Sequence, residues 1–133
     1  CQCKHNVVTA TRIGLVGNTT ASGHVIKEKD VFVALPCRSA LGRTIFVLYK
    51  DTVIICKVKD VGPWFIDDPY WETHRKPRAE IMRGRKTARG KKLLTINGSG
   101  IDLSDGAWDK LGIKRGKGKV VVTWGFINVQ RTN

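Results

Sequence analysis

Residues 100–112 read GIDLSDGAWDKLG, and the rest of the chain can be placed around this stretch. The apolar residues on both sides of Asp102 predict an extended segment with one carboxylate near its end. Ser104 is well placed to cap a short helix, because a serine hydroxyl accepts a hydrogen bond from a backbone N–H of the first helical turn. That helix would end at Gly112. Its inward-facing residues would be Ala107, Trp108 and Leu111.

A second carboxylate follows another apolar run. Thr52–Val58 is typical of a strand, and Asp60 comes directly after it, ahead of a turn at Gly62 and Pro63. Asp60 and Asp102 would therefore lie at the exits of two strands. We predict that these two acids form the chemical site of the protein.

The composition is that of one folded domain with an anionic partner. The chain has 133 residues, of which 41% are hydrophobic and 26% are charged, and its net charge is +13. Such an excess favours a polyanion: a cell-wall polymer, a nucleic acid or an acidic membrane surface. No apolar run approaches the length of a membrane-spanning helix. We interpret residues 1–133 as one domain, with an N-terminal tail at 1–6 and an insertion at 65–99, and we expect a monomer.

The four cysteines favour an exported protein with disulfides. We predict that Cys37 and Cys56 are disulfide-bonded, either to each other or to the pair formed by Cys1 and Cys3. Two alternatives remain open: Cys1, Cys3 and His5 could bind a metal with one outside ligand, or Cys1 could carry a lipid. The first residue is not Met, which indicates a processed leader or a piece of a longer protein. The predicted location is secreted, periplasmic or attached to the cell wall.

Short runs rich in β-branched and aromatic residues predict most of the secondary structure. The predicted strands are Asn6–Gly14, Val31–Leu35, Thr44–Tyr49, Thr52–Val58, Lys92–Ile96 and Val120–Val129. A tight turn at Lys50 and Asp51 joins two of them. Because the other connections are too short for helical crossovers, the pattern favours a mostly β barrel or sandwich.

The insertion is rich in aromatic residues and then in basic ones. Its cations would contact a polyanion or form an ordinary solvated face, and a short helix is predicted near 79–86. The basic residues are Arg75, Lys76, Arg78, Arg83, Arg85, Lys86, Arg89, Lys91 and Lys92. Trp64, Phe65, Tyr70 and Trp71 would either stack on sugar rings or pack in the core. We assign Trp108 and Trp124 to the core.

Four short motifs, in chain order, resemble the double-psi β-barrel domain of rare lipoprotein A and, more distantly, of bacterial expansins. They are Thr20-Ala21-Ser22-Gly23, Ala40-Leu41-Gly42-Arg43-Thr44, Asp60-Val61-Gly62-Pro63 and Ile101-Asp102-Leu103-Ser104. The resemblance implies a mainly β fold: a six-stranded double-psi β-barrel with one short helix and a basic insertion loop.

The resemblance also implies a function, because rare lipoprotein A proteins are lytic transglycosylases that cut the glycan strands of peptidoglycan. Asp102 would be the general acid/base and Asp60 its electrostatic partner. The predicted contacts to the glycan are Thr11, Ser22, His24, Trp64, Tyr70, Trp71, Arg75 and Lys76. The predicted partner is peptidoglycan or another anionic polysaccharide, and no metal or cofactor is needed. Nucleic-acid binding, which rests on charge alone, is not the expected function.

Two departures from the family pattern favour an alternative function. His24 stands where the family usually has Glu, and Pro36 stands where it has His. A non-catalytic, expansin-like domain that binds cell wall or polysaccharide fits these changes as well as a diverged enzyme does. For catalysis, Asp102 would need a pKa raised by a dry or anionic setting, so that it can donate a proton near neutral pH.

Overall fold

The chain folds into a closed barrel of six strands in a computed structural model, which describes residues 5–62, 66–81 and 98–127. The strands are β1 (Asn6–Arg12), β2 (Phe32–Leu35), β3 (Thr44–Tyr49), β4 (Thr52–Val61), β5 (Ile101–Leu103) and β6 (Lys119–Phe126). Their order around the barrel is β1, β5, β2, β4, β3 and β6. β1 runs parallel to β5 and β2 parallel to β4, whereas the other neighbours are antiparallel. This architecture confirms the predicted six-stranded, mainly β barrel.

Two short α-helices accompany the barrel, α1 (Arg78–Ile81) and α2 (Asp105–Lys110). The predicted cap of α2 is confirmed: the Ser104 hydroxyl accepts a hydrogen bond from the Ala107 N–H at 3.3 Å and one from the Phe32 N–H at 2.9 Å. Gly112 ends this segment with a φ of 74°, a left-handed conformation that favours glycine. Among the residues that the structure describes, no helix is both long and apolar enough to cross a membrane.

The core fills the barrel and extends beneath α2. Alternate residues of each strand point inward, as the two-residue period of a strand requires. Trp108 and Trp124 are fully buried, which confirms their assignment to the core. The inward-facing residues of α2 and its C-terminal end, Ala107, Trp108 and Leu111, are 2% exposed or less. The Trp108 indole N–H donates to the Lys114 carbonyl at 3.2 Å, so its polar atom is satisfied inside the core.

Most predicted strands match the structure closely, with differences at their ends. The third strand agrees at both ends, β4 continues three residues beyond the predicted limit to Val61, and β1 stops at Arg12. The predicted strand Lys92–Ile96 lies outside the described residues. So does most of the predicted helix at 79–86, although α1 is found where that helix was expected to begin.

The prediction that Cys37 and Cys56 pair with each other is wrong, because both thiols are free in the structure. Cys56 faces inward from β4 and belongs to the core, whereas Cys37 precedes a 3-10 turn at 38–40. There the Ser39 hydroxyl donates to the Cys37 sulfur at 3.2 Å. The two side chains therefore occupy different environments. Cys1 and Cys3 lie outside the described residues.

The environments of the two thiols predict a large difference in reactivity. Burial raises the pKa of Cys56 to about 12, so its reactive thiolate is scarce, and the residue is only 7% exposed. We expect iodoacetamide to label Cys37 in the native protein without reductant and to label Cys56 only after unfolding. Peptide mapping by mass spectrometry measures both sites. A peptide in which Cys37 and Cys56 are disulfide-linked would contradict this prediction.

Candidate functional site

Four neighbouring strands contribute one row of side chains to the outer face of the barrel. Thr11 of β1 pairs with Asp102 of β5, Asp102 pairs with Ala34 of β2, and Ala34 pairs with Asp60 of β4. Residues that pair across neighbouring strands point to the same face of a sheet. We call these four residues the acidic row. Ala34, between the two carboxylates, is 2% exposed and therefore covered by its neighbours.

A β-bulge turns Asp60 toward this row. Val33 pairs with Val58, but the next residue of β2, Ala34, pairs with Asp60, so Lys59 is the extra residue of the bulge. Without the bulge, Asp60 would share the inward orientation of Val58, since side chains alternate along a strand. The bulge therefore places a carboxylate on the outer face where regular alternation would have buried it.

The loop at 17–25 closes over the bulge and holds Asp60. One carboxylate oxygen of Asp60 accepts hydrogen bonds from the N–H groups of Ala21 and Val61, each at 2.9 Å. The Ser22 hydroxyl donates to the Lys59 carbonyl at 2.7 Å, which satisfies a carbonyl that the bulge leaves out of the regular ladder. Ser22 was predicted to contact a ligand. The structure places it beside the acidic row, with its hydroxyl engaged in holding the loop.

Asp102 lies within the row and is connected to two hydroxyl groups, one from Thr11 and one from Ser99. The Thr11 hydroxyl donates to one Asp102 carboxylate oxygen, and the Ser99 hydroxyl lies 2.9 Å from the Thr11 hydroxyl. Loss of contact with water raises the pKa of Asp102 to about 7; the Thr11 hydrogen bond opposes this rise, and the negative charge of Asp60 adds to it. At neutral pH, Asp102 is therefore poised to give up or accept a proton.

The backbone geometry sets the spacing of the two acids. They sit on β4 and β5 with one strand between them, so their backbones are roughly 9–10 Å apart. A carboxyl group that keeps its proton near neutrality, with a second carboxylate two strands away, can donate to and accept from sugar hydroxyls or protonate a leaving oxygen.

His24 lies in the same loop but is paired with a different residue. Its Nε2 is 2.7 Å from a carboxylate oxygen of Asp30, and its ring meets the ring of Phe32 edge to face. The carboxylate of Asp30 also accepts from the Lys27 N–H, and these two contacts, the backbone one foremost, lower its pKa. The structure thus gives His24 a role in fixing the 24–30 loop.

The predicted aromatic contacts separate into buried and undescribed residues. Tyr70 is fully buried and Trp71 is 7% exposed, so their ring faces are covered by the core. The Tyr70 hydroxyl donates to the Gly100 carbonyl at 2.8 Å and accepts from the indole N–H of Trp124 at 2.9 Å. Neither ring offers a stacking surface to a sugar. Trp64 lies outside the described residues.

The two predicted basic contacts, Arg75 and Lys76, lie away from the acidic row. The Arg75 guanidinium pairs with the buried carboxylate of Asp68, which also accepts from the Arg78 N–H at 2.7 Å, so Arg75 anchors its own loop. Lys76 is exposed and lines a cavity of about 200 Å³ beside the start of β1. Thr11, near the other end of β1, is roughly 13 Å away along the strand from Val7 in that cavity.

Sequence reasoning missed Ser99 and Ala34. Ser99 is buried at 0% exposure between two glycines, a setting that reads as an ordinary turn. Ala34 sits in a continuous apolar run, where its position opposite both acids has no local signal. Within residues 5–62, 66–81 and 98–127, no cluster of three His, Cys, Asp or Glu side chains is arranged to hold a metal ion. The proposed ligands Cys1 and Cys3 lie outside those ranges.

The chain belongs to the family described as "Domain of unknown function (DUF8814)", whose profile matches residues 4–123. No sequence among the curated proteins matches the chain.

Similar solved structures support the fold. The Streptomyces papain inhibitor shares 17% identity and a TM-score of 0.54, over 93% of this chain and 94% of that one. A mutant of the Clavibacter michiganensis expansin in complex with cellohexaose shares 13% identity and a TM-score of 0.55, over 97% of this chain and 53% of that one. The apo form of that expansin gives 16% identity, a TM-score of 0.55, and coverage of 96% and 52%.

These likenesses extend to the fold alone, given the low identities. They agree with the predicted double-psi β-barrel and with its resemblance to bacterial expansins. The chain spans about half the length of the expansin chains it resembles. The resemblance to rare lipoprotein A stays a prediction.

Proposed function

We propose that this member of the DUF8814 family is a polysaccharide-binding domain that holds an extended glycan strand across the acidic row. The observation that carries the proposal is the register of four neighbouring strands, which brings Thr11, Asp102, Ala34 and Asp60 onto one outer face. Carboxyl and hydroxyl groups in one row can form hydrogen bonds with the hydroxyls at the edge of a sugar ring.

Charge and fold both support a polysaccharide as the partner. The net charge of +13 favours an anionic polymer as partner. Peptidoglycan or another anionic wall polysaccharide carries the negative charge that such a protein would attract. The cellohexaose complex of the expansin shows that a protein of similar fold can bind a glucan oligomer. A wall polymer as ligand also implies that the protein works outside the cytoplasm, secreted, periplasmic or attached to the wall. Trp64, three residues after the end of β4 in the sequence, is proposed to stack on the sugar.

Lytic cleavage of the glycan is a second candidate, favoured by one observation. The pKa of Asp102 is raised to about 7, which leaves the carboxyl protonated over the acidic side of neutrality, as a general acid requires. In such a reaction Asp102 would give its proton to the glycosidic oxygen as the C–O bond breaks. It would then take up the proton of the hydroxyl of the same sugar that attacks. A single acid/base group is enough for this reaction, because no external water is activated.

Matched substitutions at Asp102 separate binding from cleavage. Asparagine keeps the size and most of the hydrogen-bonding capacity of Asp102, whereas alanine removes both. We expect wild type and Asp102→Asn to pellet equally with purified sacculi, and Asp102→Ala to bind at least fivefold more weakly, about 1 kcal/mol for a lost hydrogen bond. Co-sedimentation at several protein concentrations measures this. Wild type that stays in the supernatant, or Asp102→Ala that pellets like wild type, would refute the binding proposal.

The same incubations test the second candidate. If Asp102 is a catalytic acid, wild type releases anhydro-sugar fragments detectable by mass spectrometry, and Asp102→Asn releases at least a hundredfold less. The pH should be varied between 5 and 8, because cleavage by a protonated Asp102 declines above its pKa of about 7. If the protein binds sacculi but releases no such fragments at any of these pH values, it is a binding domain only.

A further inference from the structure

A cleft of about 520 Å³ lies at the end of the barrel where β3 turns into β4. It is bounded on one side by that turn and on the other by the segment that follows α2. We call it the hairpin–helix cleft; its lining residues are Tyr49, Lys50, Asp51, Thr52, Leu111, Gly112, Ile113, Lys114 and Lys117. Thr52 begins β4 at the cleft and Asp60 lies near its other end, roughly 26 Å along the strand. The cleft is therefore separate from the acidic row.

Lysines from two distant parts of the chain surround the cleft. Lys50 comes from the hairpin, whereas Lys114 and Lys117 follow α2, and all three are exposed. Among the described residues, none of the three forms an ion pair with a carboxylate. Asp51 is the acid in the lining, so the cleft has an excess of positive charge. Like charges around one cavity repel each other, and a bound anion would relieve that repulsion.

The hairpin turn holds its lysine in an unusual backbone conformation. Lys50 has a φ of 52°, a left-handed conformation that glycine, asparagine or aspartate adopts more readily. Its ammonium lies 5.4 Å from the centroid of the Tyr49 ring, so a cation and an aromatic ring are held together at the rim. Tyr49 pairs with Thr52, so the turn has two residues, and such a turn requires a positive φ at its first residue. The turn therefore accounts for the conformation of Lys50 and fixes the position from which its side chain extends.

An aromatic ring contributes apolar surface to the cleft. Tyr49 is partly buried, whereas Leu111 and Ile113 are 2% and 4% exposed and are covered by the core. The cleft thus combines an aromatic ring with cations at its rim. This combination suits a ligand that carries a flat, weakly polar ring face and an anionic group on the same unit.

We propose that the hairpin–helix cleft binds an acidic sugar unit of a polysaccharide, with the sugar carboxylate between Lys50, Lys114 and Lys117 and the ring against Tyr49. This site does not depend on the acidic row. It would select among polysaccharides by charge, whereas the acidic row contacts hydroxyl groups of any glycan strand.

Calorimetric titration of the full chain with trigalacturonate at 150 mM salt tests the site, with cellotriose as the neutral probe. We expect wild type to bind trigalacturonate at least tenfold more tightly than cellotriose. Lys50→Gly removes the ammonium and suits the left-handed φ, so the variant should fold, and Lys114→Gln combined with Lys117→Gln removes the other two charges. Each change should weaken trigalacturonate binding at least tenfold.

A matched control separates this site from general charge attraction. Lys27→Gln combined with Lys29→Gln removes two exposed lysines elsewhere, and we expect trigalacturonate binding within twofold of wild type. The proposal would be overturned if the Lys27/Lys29 variant lost as much trigalacturonate affinity as the Lys114/Lys117 variant. Equal affinity of wild type for trigalacturonate and cellotriose would also overturn it. So would displacement of trigalacturonate from wild type by a short single-stranded DNA of equal charge at equal concentration.

Discussion

The Asp102→Asn variant is expected to be more stable than wild type at pH 8.5, and this difference should be less than half as large at pH 5. The pKa of Asp102 is about 7 in the folded protein, against an ordinary value of 3.8. At a pH between these two pKa values, Asp102 keeps its proton in the folded state and has lost it in the unfolded state. The stability of wild type therefore falls as the pH rises from about 4 to about 7, and it stays low above that.

The size of the effect follows from the same pKa. The difference between 3.8 and about 7 corresponds to at most about 4 kcal/mol of unfolding free energy, and partial access of water to Asp102 reduces it to about 2 kcal/mol. Asparagine has no charge to desolvate, and its carbonyl oxygen can still accept the hydrogen bond from Thr11. The variant therefore avoids the cost that wild type carries above pH 7.

Urea unfolding of both proteins at pH 5 and pH 8.5 measures the difference. Asp60→Asn is the matched control, because Asp60 accepts two backbone N–H bonds, from Ala21 and Val61, as a carboxylate. Its loss should destabilise the protein by about 1 kcal/mol at pH 5, and by less at pH 8.5, because the charge of Asp60 also opposes the ionisation of Asp102. If Asp102→Asn is instead less stable than wild type at pH 8.5, Asp102 is a structural acceptor, and the case for an acid/base role there is lost.

A residue that is costly to ionise but lies on the outer face of the barrel is difficult to explain by stability alone. Thr11 and Ser99 orient the carboxyl of Asp102 without supplying a positive charge, and Asp60 adds a negative one. A protein selected only for stability would be expected to have an amide or an apolar residue at this position. The arrangement is more typical of a site that binds or transfers a proton.

The parts of the fold that depend on neighbouring residues in sequence were predictable. The Ser104 cap, the Gly112 terminus and the inward face of α2 follow from local preferences, and the structure confirms them. The Lys50 turn was placed from the two apolar runs on either side. The motif around Asp102 indicated the right strand exit, because an isolated acid between apolar residues is a strong local signal.

The parts that depend on a partner strand were not predictable. The bulge at Lys59 is defined only relative to β2. In the sequence, the alternation of Ile54, Cys56 and Val58 simply stops at Asp60, which is typical of the end of a strand as much as of a bulge. The Cys37–Cys56 pairing failed because Cys37 follows Leu35, the partner of Val61, whereas Cys56 lies five residues before Val61 on β4. Spacing along the chain does not give this separation. Tyr70 is buried through its contacts with Gly100 and Trp124, which are distant in sequence, so its burial could not be predicted from neighbouring residues.

A close backbone contact links the two strands at the centre of the acidic row. Gly106 of α2 packs directly on the carbonyl groups of Lys29 and Asp30, so that a Cβ atom at this position would overlap both carbonyl oxygens. α2 follows the strand that carries Asp102, and residues 29 and 30 precede the strand that carries Ala34. The Ser104 hydroxyl also donates to the Asp30 carbonyl at 2.6 Å. The contact therefore fixes the start of α2 against the entry to β2.

We expect Gly106→Ala to destabilise the protein by about 2–4 kcal/mol. Alanine favours a helix by about 1 kcal/mol over glycine, but the overlap is with backbone atoms, which cannot move aside as a flexible side chain can. Either α2 or the 29–30 segment must shift, and the Ser104 hydrogen bonds weaken with it. Urea unfolding at pH 7 measures the loss.

Gly116→Ala is the matched control for this change. Gly116 has no atom within 4 Å of an added Cβ and lies in a 3-10 turn at 115–117. Its φ is not in the left-handed region, so alanine fits its backbone, and we expect a change within about 0.5 kcal/mol. If Gly106→Ala is as stable as Gly116→Ala, α2 is free to move away from the 29–30 segment. The acidic row would then lack the fixed geometry on which both proposed activities of Asp102 depend.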